Sequence, residues 1–515
     1  MSNWIQETMN VKKTLGLLLS LILAISAVSP AYANGVEPLL IPVADDEALF
    51  MFSEDEARGE WGSRIQLQPD APDENLNRAP WIDCPTIDDP ICDLKKPGYG
   101  GFAWIALPAC ESETAEDCVA RFGIELNGEL FPGEFVSAVN SGGTFPASPK
   151  FNLPRGGQSS IYKVPGAPHD QGDLYLVSPN GTANHERNGK FQTNDFYLNV
   201  IPVVIRPASY QETVRDTIPC IWRNTTECAT RANFNPEAKV TVEMRVTNEV
   251  GGWFLGRMKD PTLSVEKFSN RNNTITVSAF PVQVARMAYK AKKKDVTLND
   301  RRAAGNTGSI GEFDSQGPVR IINGGYDTSN FRMLSHFRDR VKDTAVGTST
   351  IFQMRTTSRD SGNSCLSDRG RVLGIVSTNS MVYDGFAPRF SRGFLDYRVA
   401  GLHFEADGVT EVIGSYDLVM RSDVARCLYR FTNAPVSATI SITGEGDKNI
   451  ATTVVGEKNG WLKLAAYGFT FSQKIIKVKL TQKRTTITCV SNSSPVKTRK
   501  VTGMSPKCPT GFKKR

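Results

Sequence analysis

Val240-Thr-Val-Glu-Met-Arg-Val246 decides the fold class of this chain. Val240, Val242, Met244 and Val246 alternate with Thr241, Glu243 and Arg245, so an extended segment there has one apolar and one polar face. Successive side chains of a strand point to opposite sheet faces, and period 2 with β-branched residues marks a half-buried antiparallel strand. Ile475-Ile-Lys-Val-Lys-Leu480 and Ala438-Thr-Ile-Ser-Ile442 repeat the pattern. Turn signals such as Pro179-Asn-Gly181 and Gly444-Glu-Gly-Asp447 separate such runs, and the 43 Gly and 29 Pro are scattered as punctuation. One stretch departs from the pattern. From Asn330 to Thr344, Phe331, Leu334, Phe337 and Val341 share one helical face, and Asn330 can cap the helix.

The strand patterns recur because the sequence itself recurs. Residues 174–205 align without a gap over 373–404, with Leu174/Leu373, Val177/Val376, Ser178/Ser377, Asn180/Asn379, Phe191/Phe390 and Val200/Val399 identical. Cys220-Ile-Trp-Arg223 then lies over Cys427-Leu-Tyr-Arg430, and Glu249-Val-Gly-Gly-Trp253 over Glu457-Lys-Asn-Gly-Trp461. Several matches in one order predict an internal duplication.

Ten cysteines, an even number, suit an oxidising compartment. Cys84/Cys92, Cys110/Cys118 and Cys220/Cys228 share the spacing C-x7-C, and sequential pairing is expected because short loops close easily. Cys110 and Cys118 end two apolar runs and read as a hairpin stapled across its mouth. Cys427 lacks a near neighbour, so Cys365 is its expected mate. Cys489 and Cys508 bracket a small terminal module. Zinc sites use closer cysteines with nearby histidines, so no metal is expected.

The leader agrees with that compartment. Lys12 and Lys13 precede an apolar run over 14–28, too short to span a membrane, and Ala31-Tyr-Ala33 supplies a small-residue cleavage site. Residues 1–33 therefore read as a signal peptide, with Met9 an alternative initiator. No later run predicts a transmembrane segment. Charge is unevenly spread: residues 34–130 hold 21 acidic and 6 basic residues, whereas 474–515 hold 12 basic and no acidic ones. Such a tail is drawn to an anionic partner, such as a cell-wall polymer, lipid headgroups or the acidic N-terminal segment of a neighbouring copy; a solvated chain end is the plain alternative. Export and the lack of an aromatic-interleaved basic motif make nucleic acid a poor candidate.

Gly414-Ser-Tyr-Asp-Leu-Val-Met-Arg-Ser-Asp-Val-Ala-Arg-Cys-Leu-Tyr429, with Gly460-Trp-Leu462 and Val478-Lys-Leu480, resembles a C-terminal domain of uncharacterised secreted proteins of actinobacteria. Thr488-Cys-Val490 with Ser505-Pro-Lys-Cys-Pro509 resembles their short terminal cysteine motif. The resemblance covers about the last 120 residues. It implies export and a cell-surface setting, and carries no activity.

Motifs for catalysis are lacking: no G-x-S-x-G, H-E-x-x-H or phosphate-cradling glycine loop occurs. His169 with Asp170 is the first pair to suspect in a hydrolase. His336 falls on the polar side of the predicted helix and reads as solvated, and His185 and His403 fall in loop and strand patterns. Asp83, Asp88, Asp89 and Asp93 cluster around Cys84–Cys92 but form no calcium loop. Trp253 and Trp461 occupy matching positions. Either ring can stack on a sugar, although burial as a core anchor explains them more simply. Arg223 and Arg430 match as well, with a structural contact as the default.

The chain is therefore predicted to be mainly β, with two duplicated antiparallel β-sandwich-like domains, disulfide-stapled hairpins and a small C-terminal module. The divisions are a signal peptide (1–33), an acidic segment (34–98), the two repeat copies (99–295 and 296–482) and a basic cysteine-containing module (483–515). A secreted non-enzymatic surface protein with a structural, adhesive or envelope-binding role is expected, without a cofactor. A carbohydrate-binding protein and a secreted hydrolase are the alternatives.

Overall fold

The computed structural model describes residues 41–52, 61–68, 81–90, 100–186, 189–209, 220–305, 317–325, 330–357, 363–368, 370–432, 436–444, 452–471, 473–482, 484–504 and 506–515. The leader, Cys92 and Asp93 lie outside them. The chain is mainly β, as its alternating runs predict.

One central sheet runs through most of the molecule. Its path begins β3 (Ile82–Cys84), β2 (Arg64–Gln68), β4 (Gly100–Ala106), β9 (Leu174–His185), β10 (Phe191–Pro207). It continues β19 (Gly347–Thr356), β14 (Gly252–Arg257), β20 (Val372–Thr378), β24 (Ile413–Arg421), β27 (Trp461–Thr470), β26 (Thr452–Lys458). Shorter strands share its edges: β7 (Glu134–Ala138) joins β8 (Ser160–Lys163) on β9, and β11 (Trp222–Arg223) joins β12 (Glu227–Arg231) on β10. A branch leaves β19 through β17 (Val282–Lys292) to β1 (Glu47–Phe52) and β18 (Val319–Asn323).

Two smaller layers cover this sheet. In front lies β15 (Lys259–Lys267), β16 (Asn272–Phe280), β13 (Lys239–Thr247), β5 (Cys118–Leu126), β6 (Glu129–Pro132). Val240, Val242, Met244 and Val246 of β13 pack there against Leu198, Phe254 and Ile375 of the central sheet. Behind lie β21 (Val382–Tyr383), β23 (Phe394–Ala400), β28 (Lys474–Gln482) and β25 (Val436–Gly444), with β22 (Arg389–Ser391) on β23. Helices α2 (Asn330–Phe337) and α3 (Ser422–Tyr429) complete that back layer, and α1 (Leu298–Ala303) packs on α2. Strands β29 (Thr485–Ser491), β30 (Thr498–Gly503) and β31 (Phe512–Lys514) form a separate three-stranded sheet, closed by Cys489–Cys508.

The boundary expected at 295/296 does not separate two sheets. Strands of the two halves alternate, β10, β19, β14, β20, so each half supplies the other's edge partners. The acidic segment 34–98 supplies β1, β2 and β3 to the central sheet, and Phe50 and Phe52 are buried. The aligned repeats also take different positions. In the first, β9 and β10 pair from Leu174↔Val203 to His185↔Phe191, with one register shift between Thr193 and Asp195. In the second, both edges of β20 are taken by β14 and β24, so the chain leaves the sheet and its second strand forms β23 in the back layer. Cys220 precedes a strand, whereas Cys427 lies in α3.

The expected helix over 330–344 is shorter. It stops at Phe337, with a 3₁₀ turn at Asp339–Val341 and left-handed Lys342 and Asp343 after it. Phe331, Leu334 and Phe337 do face the core. His336 is not a free surface side chain: its Nε2 lies 2.6 Å from Oδ1 of buried Asp300, which also takes Arg340 Nη1 at 2.7 Å. Oδ2 of Asp300 closes the capping box of α1 with Thr297.

Four disulfides join Cys110–Cys118, Cys220–Cys228, Cys365–Cys427 and Cys489–Cys508, and Cys84 is also disulfide-bonded. Cys220–Cys228 staples the β11–β12 hairpin. Cys110–Cys118 does not close a hairpin, since β4 belongs to the central sheet and β5 to the front one. The bond sits where the chain crosses between layers.

Interleaving has a direct consequence. Residues 34–295 produced without 296–515 leave β10 and β14 without β19 and β20, and are expected to show no cooperative heat-capacity transition by calorimetry. A cooperative transition at the intact chain's temperature would contradict the interleaved sheet.

Candidate functional site

Alternation along β2 and β4 splits their residues between the two sheet faces. Ile65, Leu67, Ala103 and Ile105 face the front core, so Arg64, Gln66, Phe102 and Trp104 face the back. Register then builds two rows across neighbouring strands. One runs Asp83, Gln66, Phe102, Asn184, Gln192, and the other Arg64, Trp104, Thr182, Asp195. Trp81, just before β3, adds a third aromatic ring.

The rings form a short ladder. Trp81 meets Phe102 edge-on at 6.4 Å between centroids, and Phe102 meets Trp104 at 4.9 Å. The Arg64 guanidinium lies 5.5 Å over the Trp104 ring, which fixes both. Trp81 is 47% exposed and Phe102 and Trp104 are half-buried. Asp83, Asn184 and Gln192 at the margin are exposed, and Gln66 Nε2 donates to Asp83 Oδ1 at 2.7 Å. The result is a stepped aromatic strip, each ring edge-on to the next, bordered by amide and carboxylate groups on a rigid sheet.

A groove lies at the end of the same β4. It encloses about 620 Å³ between Pro108–Glu111, β7 and the 144–160 stretch. Ser63 Oγ holds its base, accepting from Ala106 N at 2.8 Å and donating to Gly157 O at 2.9 Å. Asp117 holds its wall. Buried and left-handed, it accepts Arg155 N at 3.0 Å and Asn272 Nδ2 at 2.7 Å, while burial pushes its carboxyl pKa up. Arg155 in turn reaches Glu111 Oε1 at 2.5 Å. Gly156 and Gly157 are required there, because a Cβ would meet the Phe145 ring and Pro108 Cδ at 2.6 Å.

The residues singled out from sequence lie elsewhere. Trp253 is 2% exposed in the back core and has no ring face to offer a ligand. Trp461 is half-buried against the front core at the start of β27. His169 is held by backbone on both nitrogens, Nδ1 accepting from Gln171 N at 3.2 Å and Nε2 lying 3.1 Å from Leu174 O. Burial lowers its pKa, and the Asp170 carboxylate, 3.7 Å from Nδ1, accepts its hydrogen bonds from Asn233 N and Nδ2. His403 Nδ1 lies 3.0 Å from Phe471 O, and His185 packs edge-on against Phe191. Arg223 lies beside Cys220, and Arg430 is the left-handed C-cap of α3. Among the described residues no group of acidic, His and Cys side chains could hold a metal ion.

Comparison with protein families, curated proteins and solved structures finds no match to this chain. No helix among the described residues is long and apolar enough to cross a membrane.

Exposed and buried tryptophans differ in what their loss costs. Trp253→Ala is expected to destabilise the protein by about 3–5 kcal/mol through the cavity it leaves, and Trp81→Ala by about 0.5 kcal/mol or less. Urea unfolding of the two variants measures this. Equal costs would contradict the assignment of Trp81 to an open surface.

Proposed function

We propose that this is an exported, non-enzymatic, envelope-binding protein that binds glycan on the back face of β2, β4 and β9. The observation that carries the reading is the Trp81–Phe102–Trp104 strip, exposed at Trp81 and half-buried at Phe102 and Trp104, bordered by Asp83, Gln66, Asn184 and Gln192. A sugar ring presents C–H groups on one face and hydroxyls at its rim. The electron-rich face of an aromatic ring suits the first, and carboxylate and amide groups exchange hydrogen bonds with the second. A sheet face holds these groups without ordering a loop, which limits the entropy lost on binding.

Export rests on the leader, and the disulfides support it. The basic end supports attachment to an anionic polymer. Arg499, Lys500, Lys507, Lys513 and Lys514 stand exposed on the small disulfide-closed sheet. Two contacts of different physics follow, one aromatic and insensitive to salt, one ionic and screened by it.

Pull-down on purified cell walls across a salt series separates them. Deleting 483–515, which removes both cysteines of its disulfide together, is expected to abolish the salt-sensitive part of binding. Trp81→Ala with Trp104→Ala is expected to weaken the salt-resistant part about tenfold or more, roughly 1.4 kcal/mol. Unchanged binding in both variants would overturn the reading.

A further inference from the structure

A second cluster of functional groups lies far along the central sheet, where β24 and β27 meet the front layer. Val419 faces the front core, so Asp417, two residues away, faces the same side. Register sets Asp417 opposite Ala465 and Lys463 opposite Val419, which makes Asp417 and Lys463 diagonal neighbours on that face. From the front sheet, Asp260 of β15 reaches down to them. Lys463 Nζ contacts Asp260 Oδ1 directly. Asp417 is fully buried, its Oδ2 accepting Asp260 N at 3.2 Å and its Oδ1 accepting the Tyr467 hydroxyl at 2.5 Å.

The backbone is committed to this arrangement. Asp260 has φ +56°, a left-handed conformation that is strained for an L-residue, and Pro261 follows it. The Asp417 carboxyl holds the strained peptide by its N–H, so Asp260's own carboxyl is aimed at Lys463. An exposed ion pair needs no such framing, since it contributes little to stability.

We propose that Lys463 and Asp260 become joined by an amide bond, formed within the chain and assisted by Asp417, which ties the front sheet covalently to the central one. One proton passes from the Lys463 ammonium to the Asp260 carboxyl oxygen it contacts, leaving a lone pair that attacks Asp260 Cγ. The C–N bond forms, the Cγ–O bond to one carboxyl oxygen breaks, and that oxygen departs as water with protons from the amine. Asp417 takes a proton from the nitrogen, returns it to the leaving oxygen and ends as it began. Ammonium and carboxylate give amide and water, so no oxidant, reductant or other reactant is needed. Burial pushes the Asp417 carboxyl up to about 7 against the hydrogen bond from Tyr467, so both its protonation states are populated near neutral pH, as a proton relay requires. Lys463 and Asp260 are 22% and 45% exposed at their side chains, which places the reacting pair at the mouth of the interface, where water can leave.

Intact-mass measurement of the exported, reduced full-length chain tests this, with the N-terminus sequenced on the same sample. The expected mass is lower than the sequence mass by one water, and tryptic digestion is expected to yield a branched peptide joining the segments that hold Asp260 and Lys463. The deficit is expected to vanish in Lys463→Arg, and in Asp417→Asn with disulfides and circular dichroism unchanged. The full sequence mass with linear peptides on both sides would overturn the proposal, as would a deficit that survives Lys463→Arg.

Discussion

The structure depends on β14 being closed on every side. Its edges pair with β19 and β20, and all six of its residues are buried. Trp253 and Leu255 point into the back core and Phe254 into the front one. The β14–β20 pairing is parallel, and such strands need cover on both faces because each exposes an apolar row to either side. The front sheet and the back layer supply that cover. Close approach is exacting: at Gly374 a Cβ would meet the Trp253 ring at 2.7 Å. The indole lies over a bare backbone, so only glycine fits beneath it. Buried Arg257 finishes the strand by donating to Thr378 O and Ser380 O at 3.0 and 2.5 Å.

That closure explains which strands could be read from the sequence. The alternating runs over 240–246, 438–442 and 475–480 became β13, β25 and β28, each in an outer layer with one face on the core. Where only one face is buried, period 2 survives in the residues. In the central sheet both faces are buried, so Gly252-Trp-Phe-Leu-Gly-Arg257 and Val372-Leu-Gly-Ile-Val-Ser-Thr378 show no alternation. The interleaving that they cause was therefore invisible. Likeness between residues 174–205 and 373–404 suggested two bodies, but a strand's partners are set by which edges remain free, and β20 has none. Helix α3 is hidden in the sequence although Val424, Ala425 and Leu428 share one face, because it follows β24 directly, with no loop between them to mark its start.

The candidate site was legible in part. Phe102 and Trp104 stand two apart in an apolar run, the spacing of one strand face, yet the run looks uniformly buried until the front sheet is seen to cover only Ala103 and Ile105. Asn184 and Gln192 reach the strip solely through pairing across β9 and β10. Trp253 and Trp461 hold matched positions in the sequence, and burial removes the first as a ligand contact. Cysteine spacing was more informative. A disulfide needs only two near points, so sequential pairing gives Cys220–Cys228 whatever the sheet order, whereas Cys110–Cys118 misleads about the hairpin because a staple also suits a crossover.

Both halves of the chain share one sheet. Native-state hydrogen exchange read by mass spectrometry, at rising sub-denaturing urea, tests this most directly. Peptides covering β10, β14, β19 and β20 are expected to lose protection together, at the free energy of global unfolding, with the outer strands β6 and β7 opening earlier. Separate loss of protection for the strands before and after residue 295, at distinct free energies, would contradict it.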